Sequence, residues 1–341
     1  MRKLILTVTL AILSTGVYAQ DKATTGTAPS KTLTCNADDP QNPIVGKKYT
    51  YSVEGQEGKY HFFATSNGNF IENGNLKNDN AYTETAGQIN VSAGDYNNSN
   101  STQKSIEITW TSAAAPTSFL VVNHTSNTVC TTTNNLKVLK IQPKNAFFIE
   151  LRNMNEGNTQ NLSDVSNVNV CLGAIKSAEV QGDNITYNYG EQSLFYELIA
   201  VNYDKTFLPK IKVQGLQAGQ TATLKWGYSK DAINTTLQTI NHTQTDVELT
   251  LPKITALETV APSQGVSIFL ELIVHNGKVE GSATQDITLL ADATTGKDDN
   301  INNVKTDCTE EGPFADKAIQ TLQVRPGVTA QNGLNFMLAQ P

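Results

Sequence analysis

Apolar residues return at every second position in segment after segment of this chain, and that period limits its fold more narrowly than any other feature. In "SIEITWTS" Ile106, Ile108 and Trp110 point one way while Glu107, Thr109 and Thr111 point the other. "KKYTYSVE" sets Tyr49, Tyr51 and Val53 on one face, "TATLKWGYS" aligns Ala222, Leu224 and Trp226, and "TDVELTLP" aligns Val247, Leu249 and Leu251. Successive side chains alternate across a strand, so this is the pattern of half-buried β-strands and not of helices. Two runs, "TSFLVVNHTS" from Phe119 and "VSIFLELIVHNG" with Phe269, are apolar on both faces, as interior strands are. The expected class is all-β, with Trp110, Trp226, Phe119 and Phe269 in the core.

The chain opens with Arg2 and Lys3 ahead of an apolar run from Leu4 to Val17, closed by Val17-Tyr18-Ala19. This is the layout of a secretory signal peptide over 1–19, too short to span a bilayer, and no later segment is apolar enough to span one. Residues 20–34, small and polar with Pro29, read as a flexible leader. Residues 35–153 then read as one β-sandwich and the polar, aperiodic 154–168 as a linker. Residues 169–330 read as a second sandwich and 331–341 as a tail.

Four cysteines, Cys35, Cys130, Cys171 and Cys308, stand far apart in a chain routed to an oxidising compartment, which favours disulfides over metal binding. Four cysteines allow three pairings. The one that keeps each bridge inside one expected domain joins Cys35 to Cys130 and Cys171 to Cys308, each closing a loop worth about 4–5 kcal/mol in the chain-entropy model.

Little else in the sequence carries chemistry. His61, His124, His242 and His275 are scattered, and there is no nucleophile elbow, phosphate loop or dinucleotide fingerprint. With 25 Lys+Arg against 32 Asp+Glu and no basic stripe, a nucleic-acid partner is not expected. The loop "DATTGKDDNINNVKTD" gathers Asp292, Asp298, Asp299 and Asp307, weak calcium candidates without the spacing of a regular calcium loop, and reads first as a solvated loop. Tyr187 and Tyr189, alternating on one strand, read as core residues first and as a carbohydrate platform second. No cofactor and no catalytic residue are expected.

The segment "NNLKVLKIQPKNAFFIEL" after Cys130, with "CLGAIKSAEVQGDNITYNYGEQSLFYELIAVNY" and "DCTEEGPFADKAIQTLQVRP", resembles the tandem immunoglobulin-like or PKD-like modules of secreted Bacteroidota proteins, many encoded near gliding-motility and type IX secretion components. The resemblance implies two tandem immunoglobulin-like sandwiches. It departs from antibody domains in that Trp110 lies far beyond Cys35. The expected function is a non-catalytic exported protein of the cell surface or envelope, secreted, surface-held or periplasmic. It would act through contacts with other envelope or surface proteins, itself included, in adhesion, motility or assembly. The alternative is a secreted glycan-binding module, and a third class, an enzyme, would need two carboxylates converging in a cleft.

Overall fold

The computed structural model describes residues 22–23, 28–34, 38–127, 134–155, 168–182, 184–244, 246–256, 260, 264–278, 283–296 and 298–328. Those residues are all-β, and none of their segments is a helix long and apolar enough to cross a membrane.

The first half contributes β1 (Lys48–Ser52), β2 (Gly58–Thr65), β3 (Ile71–Glu72), β4 (Asn75–Leu76), β5 (Ile89–Ala93), β6 (Ser105–Trp110), β7 (Ser118–Ser126) and β8 (Asn134–Ile141). Two three-stranded sheets, β1-β6-β5 and β2-β7-β8, face each other, and β3 and β4 form a small separate hairpin. The alternation seen in the sequence supplies the core: Tyr49 and Tyr51 from β1, Ile106, Ile108 and Trp110 from β6, Tyr60 and Phe62 from β2, Leu120 and Val122 from β7. Trp110 is fully buried, and its indole N–H donates to the Tyr51 hydroxyl at 2.8 Å, so burial of the ring leaves no donor unpaired. Residues 82–101 close the outer edge of β2, with Tyr82 N donating to Ala64 O and Asn97 N to Phe62 O, both at 2.7 Å. On the other side of this sandwich β1 and β8 are edge strands among the described residues.

The second half contributes β9 (Phe148–Met154), β10 (Val168–Cys171), β11 (Ser177–Gln181), β12 (Asn184–Asn188), β13 (Glu191–Val201), β14 (Thr206–Gln214), β15 (Thr221–Gly227), β16 (Thr235–Asn241), β17 (Leu249–Thr250), β18 (Ile254–Thr255), β19 (Val266–His275), β20 (Thr284–Thr295), β21 (Ile301–Asn302) and β22 (Asp316–Gln323). A five-stranded sheet, β16-β15-β19-β13-β9, packs on a larger one, β10-β22-β20-β14-β17, around a core that includes Tyr196, Leu198, Phe207, Ile211, Leu224, Ile268, Leu270 and Leu289. Trp226 joins this core at 6% exposure.

Several expectations need correction. The strand Phe148–Met154, assigned by its position to the first sandwich, pairs with β13 along its whole length and puts Ile149 and Leu151 into the second core. Alternation tells which face of a strand is apolar, not which sheet it joins, and Pro143 lies between the last strand of the first sandwich and β9. The stretch read as an inter-domain linker is therefore flanked on both sides, by β9 and β10, by strands of the second sandwich; residues 156–167 lie outside the described residues.

The leader is not free. Ala23 is fully buried in the second core and its N–H donates to Thr255 O at 3.1 Å. Ser30 N donates to Glu150 at 2.8 Å, Ser30 Oγ also donates to Glu150 at 2.5 Å, and Lys31 Nζ is bonded to Asp316. Leu33 packs on Phe148, Ile199 and Val201, and Thr34 N donates to Thr306 O at 2.7 Å. Polar composition suggested a flexible segment because it hides the buried carboxylates, Glu150 and Asp316, that the leader exists to satisfy.

Phe119 and Phe269 are half-buried, not core. Leu120 and Val122 take the inward face of β7, and Ile268 and Leu270 that of β19, so the period places each phenylalanine on the other face, Phe119 edge-on to Phe70 at 5.2 Å. Cys171 is a free, exposed thiol, while Cys308 is disulfide-bonded, so the expected Cys171–Cys308 bridge does not form. Cys171 sits beside Gln323 at one pole of the second sandwich. Cys308 follows Val304, which bonds Phe147 at the other pole. Their separation far exceeds the roughly 7 Å between Cα atoms that a bridge tolerates. Cys35 and Cys130 lie outside the described residues.

Candidate functional site

A cleft of about 1040 Å³ opens at the pole of the second sandwich that carries Cys171 and Gln323. One wall is the β11–β12 hairpin, an arm in neither main sheet; β11 is exposed throughout, and β12 alternates between exposed and half-buried residues. The register places Ala178 opposite Tyr187 and Val180 opposite Ile185, so one face of this arm is apolar, and Val180 is 64% exposed. The other wall is the turn where β19 ends, at His275, Asn276 and Gly277.

Tyr187 and Tyr189 stack at 5.5 Å between ring centroids with their planes 19° apart. Arg325 covers Tyr189 from beside, 5.3 Å from the ring centroid. The same guanidinium donates to Tyr189 O at 2.5 Å, Gly173 O at 2.9 Å and Gly277 O at 3.3 Å, which ties the base of the arm to the sandwich. The stack thus runs Arg325, Tyr189, Tyr187, and the rings are half-buried, in correction of their reading as core residues. Gly190, at φ +71°, makes the sharp exit from the arm; a Cβ there would stand 2.6 Å from Ala174 O. Asn188 Oδ1 accepts from Gly190 N, and Gly190 O accepts from Asn276 N, both at 2.9 Å.

Around the rings the cleft is polar. Lys176, Lys278, His275 and Glu191 are all exposed on its rim, with His275 Nδ1 3.4 Å from Glu191 Oε2. Glu191 is the single carboxylate among the described lining residues, so they bring no carboxylate pair together. The chemistry on offer is a flat aromatic surface bordered by hydrogen-bonding and cationic groups, which suits binding.

The aspartates of the acidic loop are dispersed. Asp292 sits on β20 opposite Lys210 and its Oδ1 accepts from Ala293 N at 2.9 Å. Asp299 pairs with Lys253 at 2.8 Å, Asp307 accepts from Thr309 N at 3.0 Å, and Asp298 is exposed. No group of three or more His, Cys, Asp or Glu side chains suited to a metal ion occurs among the described residues. What sequence reading missed is Arg325: it lies 136 positions from Tyr189, and nothing in its local pattern signals that it closes the stack.

No known family profile matches the chain, and a comparison with curated proteins finds no match. Among solved structures, the N-terminal domain of PorA is similar at 10% identity with a TM-score of 0.24, covering 51% of this chain and 96% of that one. The CfaE adhesin of enterotoxigenic E. coli is similar at 10% identity and 0.29, covering 91% and 86%. The CupB6 tip adhesin of Pseudomonas aeruginosa is similar at 8% identity and 0.25, covering 87% and 97%. At these scores no residue and no activity carries over to this chain.

Proposed function

We propose that this is an exported, non-catalytic β-sandwich protein of the cell surface or envelope, and that it binds a glycan in the cleft beside the β11–β12 arm. The observation that carries the reading is the Arg325–Tyr189–Tyr187 stack. Arg325 and Tyr189 are used up in holding the arm to the sandwich, which leaves the far face of Tyr187 as a platform on a preorganised support. Sugar rings present an apolar C–H face to such a platform and hydroxyls to the polar groups that border it, here Lys176, Glu191, His275 and Lys278. Adhesion, motility or assembly of a surface structure are the roles that a signal peptide and two sandwiches without a gathered catalytic set favour.

Calorimetric titration of the purified chain with soluble cello-, chito- and manno-oligosaccharides tests the cleft. Binding by at least one series, weakened tenfold or more by Tyr187→Ala with the melting temperature unchanged, is the expected result. An unaltered affinity in that variant, or no binding across the panel, overturns the glycan reading. Protease treatment of intact cells tests the surface placement: digestion is expected, and protection with recovery in a periplasmic extract would move the protein to the envelope interior.

A further inference from the structure

The first sandwich is closed along one side and only partly closed along the other. Segment 82–101 caps β2; on the opposite side residues 38–45 cover the junction end, with Gln142 N donating to Gln41 O at 2.7 Å and the Tyr51 hydroxyl to Pro40 O at 3.0 Å. Beyond Pro40, β1 and β8 each pair on one side only among the described residues, which leaves a groove of about 410 Å³ walled by Tyr51, Val53, Phe62, Leu120, Val122 and Leu139. Such a seam presents edge backbone groups along two strands above apolar core side chains, the arrangement into which an extended segment adds as a strand.

The chain carries a segment of matching chemistry. After Arg325, residues 326–341 contain no ionisable side chain, and "GLNFMLA" alternates Leu334, Phe336 and Leu338 on one face with Asn335 and Met337 on the other. A neutral, alternating run without charged gatekeepers is an association hazard unless a sheet takes it up. Lys137 faces the seam across from Val122, and Lys140 also lies on β8, so a strand bearing cations would be repelled where a neutral one is not.

The segment cannot reach this seam in its own chain. Gln323 pairs with Thr284 and Thr295 lies at the junction with the first sandwich, so the two poles are about 36 Å apart at about 3.3 Å per residue. Arg325 is held at the far pole by the carbonyls of Gly173, Tyr189 and Gly277, and the nine residues from it to Leu334 span at most about 30–32 Å fully extended. Leu334 would therefore fall short of the junction, with the seam still beyond it. We infer that residues 333–339 of one copy add as a strand between β1 and β8 of a second copy, so that the protein self-associates head to tail. This inference is independent of the cleft.

Sedimentation velocity on the full chain and on a Leu334→Asp, Phe336→Asp, Leu338→Asp variant tests it. The expected result is concentration-dependent association of the wild type and a monomer for the variant, with equal melting temperatures. A synthetic peptide of residues 329–341 added to the variant should then slow amide exchange at least tenfold at residues 50–53 and 136–140. A wild type that stays monomeric up to the highest concentration reached, or a peptide that fails to bind or protects another region, overturns the inference.

Discussion

Gly215 shows how tightly single residues hold the second sandwich. It follows β14 at φ +94°, where a Cβ would stand 1.9 Å from the Asp286 carbonyl oxygen. Any side chain there must push β20 away as well as adopt a left-handed backbone. Gly215→Ala is therefore expected to cost about 2 kcal/mol or more, measured as a fall in denaturant midpoint at unchanged slope. Asp316 makes a second residue-scale prediction. Burial pushes its carboxyl up to about 7, against the opposing pull of the Lys31 ammonium and with help from Glu311. An unfolded aspartate titrates near 4. The folded state thus holds this proton more tightly, and the stability it contributes is complete below about pH 4 and lost as pH rises towards 7. The melting temperature should fall across that window, and Asp316→Asn should flatten the slope. Glu150 acts in the other direction. Burial raises its carboxyl, but hydrogen bonds from Arg152 and Ser30 outweigh burial and hold it below the ordinary range. Its contribution is present above the ordinary value and is lost as pH falls through the folded one, so it weakens the protein towards acid where Asp316 strengthens it.

Among elements, the leader is the one whose role the sequence hides most completely. Glu150 and Arg152 lie on the face of β9 turned away from the core, paired with each other at 2.8 Å, and Ser30 and the Ala28 carbonyl complete their hydrogen bonds. Removing residues 22–34 uncovers this pair, Asp316, and the site in the core filled by Ala23. Loss of one partner from a buried ionic network typically costs about 3–5 kcal/mol, so the truncated chain should melt well below the full one and lose its sharp transition in near-ultraviolet dichroism. The strands themselves were legible: the faces of β1, β6, β14 and β15 follow the alternation of Tyr49, Ile106, Ile211 and Leu224 residue by residue. What alternation withholds is the partner. The same pattern that buries Tyr49 and Tyr51 leaves Tyr187 and Tyr189 half-exposed, because among the described residues β12 pairs with β11 alone, outside both main sheets. The cleft was legible only as two tyrosines on one face; Arg325 and the turn after β19 reach it through long-range pairing that no local period encodes.

For the molecule as a whole, the docked leader changes what kind of assembly this is. Ala23 and Leu33 pack on the second sandwich, the chain then builds the first sandwich, and β9 returns to the second. The first sandwich is therefore an insertion into a discontinuous unit, not the earlier member of a simple tandem. Its two connections leave the second sandwich side by side, since Thr34 N bonds Thr306 O at 2.7 Å and Phe147 O accepts from Val304 N at 2.8 Å. Insertions with adjacent ends are the ones a host domain tolerates losing. Contact between the two sandwiches includes the polar loop after β13, where Ser112 Oγ donates to Asp204 at 3.1 Å and Gly46 sits close to Tyr203 O. Replacing residues 38–143 with a short Gly/Ser linker should accordingly leave a folded second sandwich with Trp226 buried, seen as a single cooperative melt and a blue-shifted tryptophan emission. A chain that begins at residue 154 should not fold, because it lacks both the leader and β9 and so leaves the β13 edge and the core positions of Ile149 and Leu151 empty. If that shorter chain folded as well as the excised one, the discontinuous unit would be wrong and a tandem division near residue 154 would be restored.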